Sequence, residues 1–301
     1  MPNSTQIAEP VYQYDLFDDT RHQQVVNVSS VPQRSPFRYP GGKTWLVPHI
    51  RRWFASFENR PTALIEPFAG GGTVSLTVAF EGLADSVQMV ELDAQVAAVW
   101  KTVLNGRGGW LAEKIASFEL TPETVRQELL VRAESTHEIA FQTILRNRVN
   151  HGGILAPGSG VIKHGENGKG LASRWYPETL KRRILDIQTV KEKIQIVQGD
   201  GLQVLRENAG RADAVFFIDP PYTAAGKKAG SRLYAHNALD HEELFAVATT
   251  LKGDFLMTYD NAEGVLDLAR RHGFTAQAIA MKNTHHAKMT ELLISRRLDW
   301  V

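Results

Sequence analysis

The sequence predicts an α/β protein, a doubly wound seven-stranded sheet carrying one mostly helical insertion, and three observations predict it. Short apolar runs alternate with helix-patterned segments between residues 62 and 104 and again from 194 to 295, the pattern of strands joined by crossover helices. Three glycines, Gly70-Gly71-Gly72, lie between the first strand and the helix after it, where a turn into a helix leaves backbone amides open to a ligand. From 106 to 192 the alternation stops and helical patterns follow one another.

Taken in order, residues 1–34 are polar without sustained periodicity and read as an arm. Phe37-Arg38-Tyr39-Pro40-Gly41-Gly42-Lys43 is a compact turn, because Pro and Gly together break regular structure. An apolar-patterned helix follows over 44–57. Thr62 to Ile65 is a buried strand, and Glu66-Pro67-Phe68-Ala69-Gly70-Gly71-Gly72-Thr73 turns it into a helix ending near Phe80. Val87 to Val90 is the next strand; Glu91-Leu92-Asp93 ends it and a helix runs through Leu104.

Within the insertion, helical patterns cover 122–134, 137–147 and 177–192. The stretch His151 to Gly170 holds seven glycines, and loops of that length are uncommon unless functional; it reads as a hairpin or binding loop. Strands resume at Ile194 to Val197, before Gly199-Asp200, and at Ala214 to Ile218. Asp240 with Glu243 three positions on is a capping-box arrangement for a helix over 241–251. A strand over 254–258, a helix over 262–272 and a closing strand pair, 274–280 and 291–295, complete the chain. The expected division is an arm (1–34), a catalytic domain (35–105 and 193–301) and an inserted domain (106–192).

Composition narrows the chemistry. The chain has 301 residues and no cysteine, which removes disulfides, thiolate metal sites and any cysteine nucleophile. No apolar run has membrane-spanning length and no signal-peptide pattern opens the sequence, so a cytoplasmic protein is expected. Net charge is +1, yet its distribution is uneven. Arg146, Arg148, Lys163, Lys169, Arg174, Lys181, Arg182 and Arg183 stand against only Glu166 and Glu178, which suggests one surface facing phosphate.

The most informative segment is Phe216-Phe217-Ile218-Asp219-Pro220-Pro221-Tyr222. Prolines cannot continue a sheet ladder, so the strand ends rigidly and Asp219 and Tyr222 stand at its carboxyl end, where open α/β sheets place ligands. A carboxylate, a fixed backbone carbonyl at Pro220 and a ring face are what grips a planar, amine-bearing base. Glu91, about twenty residues past the glycines, suits the ribose-binding acid of a doubly wound sheet. Asp200 suits either an adenine amine or the cap of the helix beginning near Leu202. Gly41-Gly42-Lys43-Thr44 lacks the first glycine of a phosphate loop, since Phe37 occupies that place. His285-His286 have no metal-ligand spacing with other histidines, and no metal is expected.

With these segments in this order, the chain resembles the Dam-type (alpha-class) DNA adenine-specific methyltransferases over residues 37 to 296. The resemblance implies the S-adenosylmethionine-dependent methyltransferase fold with an inserted target-recognition domain. It implies S-adenosylmethionine held by Tyr39, Gly41, Gly42 and Lys43, by Phe68, Gly70, Gly71 and Gly72, and by Glu91, where the family usually has Asp. Asp219, Pro220 and Tyr222 match the catalytic motif. Asn147-Arg148-Val149-Asn150-His151-Gly152-Gly153 matches the base of the recognition hairpin but lacks the family's aromatic. Duplex DNA is then the expected partner, contacted by Arg148, Asn150, Lys163, Lys169 and Arg174, with base flipping implied; a cognate restriction endonuclease is a candidate partner whose existence the sequence leaves open. Cytosine-N4 transfer or an inactive DNA-binding relative is the alternative.

Overall fold

The computed structural model describes residues 30–38, 42–156, 158–162, 165, 168–221, 239–282 and 288–301. Tyr39, Gly41, Lys163, Tyr222 and His285-His286 lie outside the described residues, as does nearly all of the N-terminal arm. A 3-10 turn, Lys43–Leu46, leads into α1 (Val47–Ala55), with Pro48 in the first turn where its missing N–H costs nothing. Then come β1 (Ala63–Glu66), α2 (Thr73–Glu81), β2 (Ser86–Glu91) and α3 (Ala94–Leu104). The helical stretch holds α4 (Gly108–Ser117), α5 (Pro122–Leu130), α6 (Thr136–Val149) and α7 (Pro177–Gln188). The remainder is β3 (Ile194–Gln198), α8 (Gly201–Asn208), β4 (Ala214–Ile218), α9 (His241–Thr250), β5 (Phe255–Asp260), α10 (Glu263–Arg271), β6 (Thr275–Lys282) and β7 (Lys288–Ser295).

The sheet order is β3-β2-β1-β4-β5-β7-β6. The first five strands in that order pair in parallel, whereas β7 runs antiparallel between β5 and β6. The reversal of strand order between β1 and β4 creates the switch point outside which such sheets bind ligands. One face carries Leu64, Met89, Phe217, Leu256 and Leu293 against α1, α2, α3 and the helices α4, α6 and α7. The other carries Ile65, Phe216, Ile218, Met257 and Ile294 against α8, α9 and α10. Both faces of the central strands are covered, which is why those strands read as continuous apolar runs.

The expected elements are present, with one addition. Helix α4 opens on Gly108-Gly109, weak helix formers that hide it from pattern reading. Tertiary packing overrides them: Leu111, Ala112 and Ile115 are buried. A Cβ at Gly108 would meet the Gln188 side chain, whose amide donates to the Val103 carbonyl. Caps fix the other ends. Asp93 accepts from Gln95 N (2.8 Å) at the start of α3, and Ser135 and Glu138 form a reciprocal capping box on α6. Asp240 accepts from Glu243 N at 3.0 Å as expected, opening α9.

Candidate active site

Side chains two apart along a strand share a face. Leu64, Phe217, Leu256 and Leu293 point into the first apolar cluster, so Glu66, Asp219, Thr258 and Glu291 stand on that same side at the carboxyl edge. They come from β1, β4, β5 and β7, four consecutive neighbours in the sheet. Lys43, only 5% exposed, lies over them from the turn before α1. Its Nζ is 3.0 Å from Asp219 Oδ2 and 3.6 Å from Glu291 Oε2. The second distance is an ion pair just too long for a hydrogen bond. The Thr258 hydroxyl donates to Asp219 Oδ1 at 2.7 Å. Asp219 is therefore gripped at both oxygens, and a carboxylate with about four lone-pair sites can still accept more donors.

The neighbouring acids are shaped by burial. Glu66 accepts from Ser75 N at 3.0 Å and from the Ser75 hydroxyl. Desolvation pushes its carboxyl up to about 8; the Ser75 bonds and the Lys43 charge oppose this, and Asp219 adds to it. Glu291 is pushed up to about 7, by burial first, with Lys43 opposing and Asp219 and Asp260 adding. On the opposite face of β5, Tyr259 OH pairs with His241 Nδ1 at 2.9 Å, and burial raises its phenol further above the usual range. Three carboxyl groups thus share one ammonium in a mostly dry corner, the kind of perturbed cluster that marks functional sites.

The glycine turn occupies the adjoining end of β1. Ala69 N donates to Val90 O (2.9 Å), tying the turn to β2. Gly70 N donates to Glu91 Oε2 (2.9 Å) and Asp93 N to Glu91 Oε1 (2.8 Å). Glu91 is buried and pushed up to about 7, by desolvation first. Its carboxyl sits at the end of β2, with one oxygen bracing the glycine turn and the other the Asp93 amide ahead of α3. Gly72 adopts φ +62°, and a Cβ there would stand 2.7 Å from Met89 and 2.9 Å from Trp100; only glycine satisfies both constraints. Trp100 Nε1 donates to the Gly70 carbonyl at 2.8 Å, and Ser35 Oγ to that of Gly71 at 2.5 Å.

Asp200 caps α8, accepting from Leu202 N at 2.9 Å. Gly201 beside it leaves no room for a side chain against the Pro67 carbonyl and the Phe68 ring. Phe68, Gly70 to Gly72, Glu91 and Asp200 consequently converge outside the ends of β1, β2 and β3. Gly42 is exposed at the start of the Lys43 turn.

The insertion departs from expectation. Arg148, expected on DNA, is 6% exposed; its guanidinium donates to the Pro36 carbonyl, and burial lowers it to about 10 with Arg183, Arg38 and Arg174 adding. Asn150, also expected on DNA, is 7% exposed and donates to Ile154 O and Ser159 Oγ, both at 2.9 Å. Both are internal because the 35–38 strap packs over one and the glycine-rich loop folds back on the other. Lys169 is exposed and Arg174 half-buried. Asn147, the first residue of the same motif, has a bracing role that spacing alone did not assign. Its amide holds both backbone groups of Arg38 at 2.8 Å and the Gly153 carbonyl at 2.8 Å. Glu66, Thr258 and Glu291 were missed as site residues. Their signal was present: each is a polar side chain two positions from a core leucine on the same face of its strand.

Residues 39–104 match the family model described as D12 class N6 adenine-specific DNA methyltransferase. No curated protein matches the chain. Among solved structures, the rRNA methyltransferase aviRa of Streptomyces viridochromogenes is 13% identical, covering 90% of this chain and 93% of its own, with a TM-score of 0.41. A putative RNA methyltransferase of Pyrococcus horikoshii is 12% identical, with coverage of 90% and 95% and a TM-score of 0.40. A methyltransferase of Geobacter sulfurreducens is 12% identical, with coverage of 87% and 81% and a TM-score of 0.38. The seven-stranded mixed sheet with helices on both faces is the Rossmann-like methyltransferase fold, and with the family match over residues 39–104 it supports S-adenosylmethionine-dependent methyl transfer.

Proposed function

We propose that the protein is a site-specific DNA (adenine-N6)-methyltransferase of the Dam type. The observation that carries this reading is the Asp219 carboxylate, held by Lys43 and Thr258 at the sheet edge and followed at once by two prolines. The match of residues 39–104 to an adenine-specific family supports it.

An exocyclic amine shares its lone pair with the ring and attacks poorly. The Asp219 carboxylate and the Pro220 carbonyl accept its two hydrogens, which orients the amine and leaves its lone pair directed out of the ring plane. S-adenosylmethionine would be held by Phe68, Gly70 to Gly72, Glu91 and Asp200, and would supply an electrophilic methyl group whose bonding pair leaves with sulfur as the amine nitrogen takes the carbon. The positive charge then resides on the nitrogen, which releases a proton to Asp219 or to solvent. Asp219 acts by preorganised electrostatics, usually the largest single contribution in a dry site.

The base must leave the duplex to reach this corner, and Tyr222, next to Pro221 in sequence, is the stacking face for it. Residues 106–192 are the target-recognition element. Lys163, Lys169 and Arg174 are its phosphate contacts; Arg148 and Asn150 hold its shape. Tritiated-methyl transfer into duplex DNA, followed by nucleoside analysis, tests the reading: labelled N6-methyladenine is expected. Label in N4-methylcytosine, label only in RNA, or no label would overturn it.

A further inference from the structure

Strand β7 reads Lys288-Met289-Thr290-Glu291-Leu292-Leu293-Ile294-Ser295 and is paired on both sides, by β5 and β6. Leu292 and Ile294 fill one core cluster and Leu293 the other. Glu291 is the acid within that strand, 6% exposed and directly opposite Asp260 of β5 and Ile279 of β6. Burying a carboxyl there costs free energy, and replacing a buried ion pair by apolar groups is often neutral or stabilising. Stability therefore does not explain why it is there. Nor does charge balance, because Lys43 already has Asp219 at 3.0 Å as its counter-ion.

The geometry assigns another task. Lys43 Nζ lies between Asp219 Oδ2 and Glu291 Oε2, at 3.0 and 3.6 Å, and Thr258 holds the other Asp219 oxygen at 2.7 Å. An ammonium on four flexible carbons is a poor positioning device unless something fixes its far side. We infer that Glu291 is a positioning residue for methyl transfer: it fixes the Lys43 ammonium, which with Thr258 sets the orientation of the Asp219 carboxylate before the target amine arrives. This rests on the proposed function for its consequence in rate, though not for its geometry.

Among the described residues, the charged and titratable groups facing Glu291 are Lys43, Asp219 and Asp260, with Glu66 acting through Lys43 and Asp219. Burial pushes the Glu291 carboxyl up to about 7, so its charge, and with it the tether, builds as pH rises through neutrality. Single-turnover methyl transfer in the full-length enzyme should rise across that range. Glu291→Gln keeps the shape and an acceptor but removes the charge. It should slow transfer about ten- to a hundredfold, the scale of an ångström-sized misplacement. The rise through neutrality should be lost, with S-adenosylmethionine and DNA affinities at wild-type values. Glu291→Asp, which keeps the charge, should recover part of the rate. A Gln variant with wild-type rate and profile, or one that loses cofactor affinity in step with rate, would overturn the inference. A second measurement needs no substrate. The Asp219 carboxyl carbon resonance, assigned through Asp219→Asn, should show an inflection near pH 7 in the wild type that is absent in Glu291→Gln. Should the wild type methylate no DNA, the functional reading fails while this resonance still decides the role of Glu291, and its lack of any such inflection in the wild type would sink it.

Discussion

The sheet rim and the helical insertion both bury charge, and they do so in opposite ways. At the rim, three carboxyl groups gather round one lysine, with Glu66 and Glu291 pushed to about 8 and 7. In the insertion, the buried cation Arg148 is taken up by a main-chain carbonyl, as is half-buried Arg183, which donates to Ser35 O at 3.0 Å. The rim therefore holds side chains whose charge state responds to their neighbours, which suits chemistry. Near the 35–38 strap, guanidinium groups act as fixed pins: Arg148 on Pro36, Arg183 on Ser35, with Asn147 on Arg38. That strap leads directly to the Lys43 turn and touches the glycine turn through Ser35. A basic residue in a recognition segment is not thereby a DNA contact; where its charge goes depends on what packs over it.

The comparison breaks most sharply at Asp219. Asp219→Ala should slow single-turnover methylation by about 2.7–4 kcal/mol of barrier, on the order of a hundred- to thousandfold, while DNA binding by filter or anisotropy assay persists. Wild-type methylation by this variant would reduce the rim to a turn. Next comes Arg148→Met, which keeps the apolar stem but removes a charged donor to a buried carbonyl, worth about 1.5–3 kcal/mol of folding stability in denaturant titration. The salt dependence of its DNA binding should match the wild type. A changed slope would return Arg148 to the DNA surface.

Lys169→Gln and Arg174→Gln should act in the reverse sense, each lowering the slope of log affinity against log salt by about 0.9 for every phosphate charge left unneutralised, with little effect on stability. An unaltered slope would mean that these residues face solvent. The smallest effect concerns pH. Glu66 is raised from 4.5 to about 8, so the folded state keeps a proton that the unfolded chain has released. Its stabilising contribution is full below the unfolded value and is lost as pH climbs towards 8. Glu66→Gln keeps an acceptor for Ser75 and should flatten the fall in stability between about pH 4.5 and 8. His49, lowered to about 4 by burial first, acts in the opposite sense at the acid end of that range. An equally steep fall in the variant would place the proton elsewhere.

Sequence alone determined the layout. Strands β1, β2, β3 and β4 start and end within about a residue of where apolar runs meet glycine, acid or proline, because those punctuation residues act locally on backbone dihedrals. The positions of Asp219, the glycine turn, Glu91 and the Asp200 cap were legible for the same reason: each stands at a strand end that its own neighbours in sequence enforce. What only the tertiary structure decided is what each charged group faces. Lys43 meets Asp219 and Glu291 from positions 176 and 248 residues away, and Arg148 meets Pro36 across 112. Helix α4 is held by burial of Leu111, Ala112 and Ile115 and by the room Gly108 leaves for Gln188. Such pairings depend on the order in which strands assemble and on which helix covers which face, and residue spacing along a chain carries little of either.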